Sequence, residues 1–320
     1  MPDFSPNPFS PIVERLPRQP AISQQTPGWS DEAVGDNMNG PSLLRVPGFL
    51  EERMGRYYLY FAHHGGRSIR LAFAEDLEGP WIIYTPGTLQ LAQTGCSHHI
   101  ASPDVHVDHA AGELVMYYHG CCAHDRDIPW SQWTCVARSS NGLHWTDDDR
   151  PLGPSYLRAF EWRGQRYGIA MPGVFYRMTD GWSGLEPRPG RIAGALCGVD
   201  DSEIGPHLKP RHFAVQVVGD TLILIFSRAG DRPERLLLST VALTDDWLAW
   251  TPTPPVELLR PERTWEGADL PIEASRNGKA EGPVHQLRDP ALFTDSDGQT
   301  YLAYAAAGES AIALARLKWS

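Results

Sequence analysis

Apolar and polar residues alternate in short runs along most of the chain, at the two-residue period of half-buried strands. One stretch shows this plainly. In His98-His99-Ile-Ala-Ser-Pro-Asp104-Val-His106-Val-Asp108, Val105 and Val107 alternate with Asp104, His106 and Asp108. One strand face is then apolar and the other carries acid and imidazole. A tight turn through Ala110-Ala111-Gly112 leads to a second apolar strand that stops on His119-Gly120. Three ionisable groups on one strand face point to the lining of a site; the plain alternative is a solvated edge strand.

The pattern returns along the chain. Residues 39–46, 56–62 and 68–74 predict three strands, closed by Asp76-Leu-Glu-Gly-Pro-Trp81 and a short fourth. Residues 100–108, 114–119, 134–139 and 141–145 repeat that order. So do 155–160, 166–170 and 174–178, then 211–217, 221–226, 235–239 and 246–250, and finally 288–293, 299–304 and 311–315. Five units at a period of roughly 50 to 80 residues predict an all-β fold, a five-bladed β-propeller with one sheet per blade. The last unit is one strand short. Ile12-Val-Glu-Arg-Leu16 is expected to supply it, closing the last blade and removing an exposed edge. One domain is expected over 1–320, with 1–35 as N-terminal extension and closing strand. A large β-sandwich with long loops is the alternative.

In a propeller, the starts of first strands and the ends of second strands meet at one rim. The first set holds Asn39, His99, Ser102, Asp104, Arg211, His212, Arg288 and Asp289; the second holds His63, His64, His119, Arg228 and Glu309. The opposite rim receives ordinary turn residues, among them Ala110-Ala-Gly112, Gly219-Asp220 and Asp295-Ser-Asp-Gly298. Chemistry on one rim and plain turns on the other predict a single funnel site.

Composition narrows the partners. Aromatic residues (11 Trp, 11 Tyr, 10 Phe), 30 Gly and 28 Pro suit many short strands joined by turns. A net charge of −11 argues against nucleic-acid or anionic-membrane partners. No apolar run reaches the roughly 18 residues of a membrane span, and the N-terminus lacks the basic and apolar regions of a signal peptide. Cys96, Cys121, Cys122, Cys135 and Cys197 form neither an even disulfide framework nor a Cys-x-x-Cys zinc motif, so reduced thiols in a cytoplasmic protein are expected. No signal in the sequence speaks to an oligomer.

The segments Ala74-Glu-Asp-Leu-Glu-Gly-Pro-Trp81 and Ser139-Ser-Asn-Gly-Leu-His-Trp145 resemble a blade-closing S-x-D-G-x-x-W motif. Ser102-Pro-Asp104-Val and Arg288-Asp-Pro-Ala-Leu-Phe-Thr-Asp-Ser-Asp-Gly-Gln-Thr-Tyr-Leu resemble Asp-Pro strand starts. Both belong to the five-bladed propeller glycoside hydrolases, the clan of families 32, 43, 62 and 68, and the chain is closest in style to family 43. The resemblance implies a glycosidase with three funnel carboxylates, an aspartate on each of the first two blades and a glutamate on the third. Asp104 matches the second. The first slot reads Asn39-Gly-Pro-Ser, with an amide where the general base stands, and the third-blade Glu-Gly-Pro slot reads Leu152-Gly-Pro154. A Glu281-Gly-Pro283 occurs ahead of the fifth blade.

Hydrolysis of a glycosidic bond needs a proton donor for the leaving oxygen and a carboxylate for water or the anomeric carbon. Asp104, Asp289, Glu309, His64 and His119 are the candidate catalytic groups. Glu281, Glu266 and Asp269 are further carboxylates in reach of the same rim. Asn39, His99, Arg211, Arg228, Arg288 and Trp265 are candidates for binding substrate, the arginines suggesting an anionic or strongly hydroxylated one. Trp265, with Trp130 and Trp133, offers a stacking surface. The expected substrate is a small oligosaccharide or glycoside. His64, His119 and His212, with His106 near, also form a candidate cluster for one divalent metal, either the calcium typical of the clan or zinc, manganese or iron. That cluster carries the first alternative, a metal-dependent hydrolase or lyase. The second is a non-catalytic carbohydrate-binding propeller.

Overall fold

The structure, a computed structural model, describes residues 10–30, 37–122, 132–148 and 150–319. The strands run in chain order as β1 (Ile12–Arg15), β2 (Asn39–Arg45), β3 (Tyr57–Ala62), β4 (Arg70–Ala74), β5 (Ile82–Tyr84), β6 (Cys96–Asp108), β7 (Glu113–Cys122), β8 (Trp133–Ser139), β9 (Thr146–Asp147) and β10 (Gly153–Pro154). There follow β11 (Arg158–Trp162), β12 (Gln165–Ala170), β13 (Val174–Met178), β14 (Leu185–Pro187), β15 (Lys209–Val218), β16 (Thr221–Ala229), β17 (Leu236–Ala242), β18 (Val256–Leu259), β19 (Arg288–Thr294), β20 (Thr300–Ala306) and β21 (Ala311–Lys318). A short helix, α1 (Ala193–Cys197), lies between β14 and β15. No helix among the described residues is long and apolar enough to cross a membrane.

Among the described residues these strands make five antiparallel sheets, β2–β5, β6–β10, β11–β14, β15–β18, and β19–β21 with β1. This is the expected five-bladed propeller. The closing strand is where the sequence placed it: β1 pairs antiparallel with β21, Ile12 opposite Lys318 and Arg15 opposite Ala315. Arg15 fixes the seam by donating from Nε and Nη2 to the buried Glu266 carboxylate at 2.8 and 2.9 Å, which also accepts from Tyr304 Oη at 2.8 Å. Glu266 is therefore a structural residue of the closure.

Alternation fades in the middle strands, and the architecture says why. β3 and β20 are buried at every position because each sheet is covered on both faces by its neighbours. The outer strands depart from expectation in two blades. Residues 246–250 hold a 3-10 turn at Trp247–Ala249, and the outer strand is β18. Residues 141–145 form a turn built on Asn141 and Ser139 hydrogen bonds, and β9 and β10 both pair with β8 instead. Likewise β7 runs past His119 to Cys122.

Candidate active site

Four of the five inner strands carry the same irregularity near their start. The pairing slips between Asn39 and Ser42 in β2, Ala101 and Asp104 in β6, Arg211 and Ala214 in β15, and Arg288 and Ala291 in β19. At each slip one residue takes a left-handed backbone: Gly40 (φ 54), Ser102 (φ 50), His212 (φ 55) and Asp289 (φ 46). Tyr156 (φ 62) occupies the matching place ahead of β11. These are β-bulges, which re-aim a side chain and end the regular ladder. For residues with a Cβ the left-handed conformation costs about 1–2 kcal/mol each. A cost repeated at four of five equivalent positions marks a place where the side chain's aim matters.

The five positions join into a ring across the central channel. A Cβ on Gly40 would fall 2.6 Å from Ser102 Cα. The Ser102 side chain lies close enough to the Tyr156 phenol to act on it. The Tyr156 ring lies 4.8 Å from the His212 ring, and His212 Nδ1 lies 2.9 Å from Asp289 Oδ1. Above the ring opens a cavity of about 340 Å³ lined by His64, Gln132, Tyr156, Lys209, Arg211 and His212. Residues on both sides of the floor converge on it. Beneath Tyr156, His119 stacks at 4.2 Å, with His99 edge-on to it at 5.9 Å.

The charges on the floor are paired. Arg211 grips the fully buried Glu234 with Nε at 2.9 Å and a second bond from Nη2. Arg288 reaches Glu234 at 3.2 Å and Glu309 at 3.1 Å, and donates to Gln286 Oε1. Glu309 also receives Asn39 Nδ2 at 3.4 Å and lies 3.4 Å from His64 Nδ1. Burial alone would raise Asp289, but His212, Arg211 and Arg288 outweigh it and hold the carboxyl well below its usual range. Burial likewise works against Glu234, and its two arginines overcome it. Burial pushes His212 down despite Asp289, pushes His119 well below 6.5 with its imidazole neighbours adding to the effect, and lowers His99. Burial, with Asp289 and Glu309 nearby, raises the Tyr156 phenol. At neutral pH the floor therefore holds fixed carboxylates, neutral imidazoles and a protonated phenol.

Several expectations need correction. Asp104 does not join the funnel: it lines a cavity of about 340 Å³ at the other end of the channel, with Ser42, His106 and Arg158. Its Oδ2 lies 2.8 Å from His106 Nε2 and accepts from the Ala159 amide at 3.0 Å. His106 is held there beside the Trp182 ring, away from the funnel histidines. Asp108 accepts from Trp182 Nε1 and from the Ala110 and Ala111 amides, so the polar face of β6 serves the blade junction and the hairpin turn. The four-histidine metal cluster does not form: Tyr156, from blade three, stands between His119 of blade two and His212 of blade four. Among the described residues no three His, Cys, Asp or Glu side chains converge as metal ligands.

Arg228 is bound to Asp231 at 3.1 Å and is not among the residues lining the funnel cavity. Trp265 lines a neighbouring cavity instead. Glu281 and Asp269 are exposed, and Trp130 lies outside the described residues. Asn39, His64, His99, His119, Arg211, His212, Arg288, Asp289 and Glu309 do come together. The arginines do not await an anion, because Glu234 and Glu309 already occupy them. Sequence reasoning missed Tyr156 and Glu234. Aligning the strand starts Asn39-Gly-Pro, Ala101-Ser-Pro, Ser155-Tyr-Leu, Arg211-His-Phe and Arg288-Asp-Pro would have found the first.

No family model matches the chain. Its fold is shared with the α-L-arabinofuranosidase from Lactobacillus brevis (TM-score 0.61, 15% identity, covering 94% of this chain and 93% of that one). It is also shared with the GH43 β-xylosidase/α-arabinofuranosidase CoXyl43 from a compost microbial metagenome, in complex with xylotriose (TM-score 0.61, 11% identity, 95% of each chain). The GH43_1 enzyme from Xanthomonas citri complexed with xylose matches similarly (TM-score 0.59, 12% identity, 96% of this chain and 90% of that one). In sequence the chain is 36% identical over 303 residues to the uncharacterized protein R118 of Acanthamoeba polyphaga mimivirus, covering 88% of this chain and 83% of that protein. The chain therefore belongs to one family with the mimivirus protein R118, on the five-bladed propeller fold of the family-43 glycoside hydrolases.

Proposed function

We propose that this protein is a carbohydrate-active enzyme that cleaves the glycosidic bond of a small, uncharged substrate held in the funnel. The carrying observation is the His212–Asp289 pair, 2.9 Å apart on the floor, with both residues in left-handed backbone. The Asp289 carboxylate, 2.9 Å from Nδ1, stabilises the charge that develops on the imidazole as Nε2 takes a proton from water, which adds to the anomeric carbon. The floor carries the carboxylates of Glu234, Glu309 and Asp289 against two guanidiniums, an environment that favours positive charge developing on the sugar. Tyr156 donates a hydrogen bond to the leaving oxygen, which takes up a proton from solvent as the glycosidic bond breaks, while His212 returns to solvent the proton it took from the attacking water.

The proposal is tested by assaying aryl glycosides of pentoses and hexoses with the wild type, His212→Gln and Asp289→Asn. Loss of turnover in both variants with sugar affinity retained supports it; turnover that survives both overturns it. A second reading, a sugar-binding propeller without catalysis, is favoured by one observation: Asp289 and Glu234 are both held below the usual carboxylate range, so neither carries a proton to donate. It is supported if the wild type binds sugars and turns none over. Repeating the assay with calcium, zinc, manganese or iron separates a metal-assisted reaction from both.

A further inference from the structure

On the other side of Glu309 from the funnel lies a second cavity, of about 590 Å³. Its walls come from segments outside the blade repeat: Gln24 and Gln25 of the N-terminal stretch, Asn37 ahead of β2, and Trp265 and Pro283 from the long connection between β18 and β19. The two cavities share a wall. Glu309 lines the second, His64 lines the funnel, and the two side chains lie 3.4 Å apart. The same connection turns Asn277 and Gly278 toward the funnel and Ala280, Gly282 and Pro283 toward the second cavity.

The lining specifies a kind of ligand. Asn37 Oδ1 accepts from the His64 amide at 2.8 Å, which fixes the orientation of its side chain. Its Nδ2 is then a buried donor without a partner among the described residues, on a residue only 4% exposed. Leaving such a donor unpaired is unfavourable, so the site favours an occupant that brings an acceptor. Trp265 supplies an aromatic surface and the two glutamines supply further donors and acceptors. Among the described residues no Lys, Arg or His lines the cavity, and the one carboxylate there, Glu309, is already held by Arg288. An aromatic surface, amides and balanced charge suit an uncharged, polyhydroxylated ring.

We propose that this cavity is a subsite for a second, uncharged sugar unit of the same substrate, whose reacting unit occupies the funnel. The inference rests on reading the funnel as a carbohydrate site, and the test separates the two. Calorimetry on the full chain with xylose, arabinose and glucose, and with their di- and trisaccharides, reads the contribution of the second unit. The expected result is at least tenfold tighter binding of the best oligosaccharide than of its single sugar. Asn37→Asp keeps the acceptor for His64 and removes the donor. It and Trp265→Ala should each abolish most of that advantage, leaving the single sugar's affinity unchanged. Should Trp265→Ala unfold, as circular dichroism would show, Asn37→Asp and Gln24→Ala carry the test.

Equal affinity for long and short sugars, or an advantage that survives these variants, overturns the subsite. Turnover lost in Asp289→Asn without any length preference sinks the subsite and leaves the funnel reading standing. A length preference lost in Asn37→Asp, with turnover indifferent to His212→Gln and Asp289→Asn, does the reverse.

Discussion

The two ends of the central channel are built from the same five inner strands and have opposite characters. At the far end the left-handed residues sit in hairpin turns: Gly112, Gly219, Gly298, and Arg163 beside Gly164. Such turns match the twist of the strands they join and need that conformation. At the funnel end turns hold left-handed residues too, among them Gly65, Gly173, Gly230 and Ala307-Gly308, but Ser102, Tyr156, His212 and Asp289 take that conformation inside or beside strands, where no turn requires it. Charge divides in the same way. At the far end the ion pairs beside the channel, Asp104 with His106 and Arg45 with Asp295, keep contact with solvent: His106 is 25% and Arg45 41% exposed. The funnel floor holds Arg211, Glu234, Arg288, Glu309 and Asp289, each at most 3% exposed. Strain and desolvated charge persist in a fold only where the surroundings over-determine them, and here they coincide on one rim.

The largest effect that tests this comparison is on turnover. Asp289→Asn is expected to lower kcat/KM about 10²–10⁴-fold, as loss of the carboxylate that supports a catalytic imidazole does. Asp104→Asn, at the far end, keeps an acceptor for the Ala159 amide and should lower stability by about 1–2 kcal/mol through its weakened contact with His106, with turnover little changed. Steady-state kinetics on a chromogenic glycoside, with thermal melts, reads both. The comparison breaks if Asp104→Asn is the more damaging to turnover. Next in size is Glu234→Ala. It strands Arg211 and Arg288 without their shared carboxylate, and removing one partner of a buried ion pair costs about 3–5 kcal/mol. Urea unfolding should show it; a loss near zero would mean water or Glu309 compensates for the missing carboxylate.

The division between the two ends was half legible in the sequence. Blade count, the closing strand at Ile12–Arg15 and the convergence of His212, Asp289, Arg288 and Glu309 followed from periodicity and from where strands begin. The depth of Asp104 did not. Alternation assigns a strand face and says nothing of how far along the channel a residue lies, and the bulge at Ser102 lies between His99 above and Asp104 below. Glu234 was hidden for a different reason. It stands in the connection between β16 and β17, and its role comes from two arginines, 23 residues and more away in sequence, that need a buried counter-charge. Tyr156 stood in a blade whose strand start lacks both proline and charge, so only the five-fold alignment exposes it.

A smaller effect tests the ring itself. Gly40 is the one member without a side chain, at φ 54 and with Ser102 Cα where a Cβ would go. Gly40→Ala should cost about 2–3 kcal/mol, combining left-handed strain with overpacking against backbone that cannot easily give. Gly219→Ala at the far end (φ 59) has nothing within 4 Å of its Cβ and should cost only about 1 kcal/mol, from the conformation alone. Equal losses in chemical denaturation would mean that the ring is not close-packed.

The smallest effect is in pH. His119 is held neutral in the fold by burial, with His99, His64, Arg158 and His212 all acting in the same direction and the Tyr156 ring stacked on it. In the unfolded chain it protonates near 6.5. Below that pH the unfolded state binds a proton the folded state refuses, so stability falls as the solution is acidified from about 6.5. His99 and His212, also lowered, add in the same sense. The carboxylates of Asp289, Glu234 and Asp104 do not act in that window. Their depressed pKa values stabilise the fold above the unfolded carboxylate range and lose that contribution only as pH drops below about 4. Two separate acid limbs are therefore expected. His119→Gln removes one titrating group from the upper limb, making the slope of stability between pH 6.5 and 5 shallower by up to about 1.4 kcal/mol per pH unit. The lower limb should be unchanged. Urea midpoints of the wild type and variant at half-unit pH steps measure both slopes. An unaltered upper limb would mean that the His119 imidazole takes up its proton without unfolding, and the floor of the funnel would then be wetter than its burial implies.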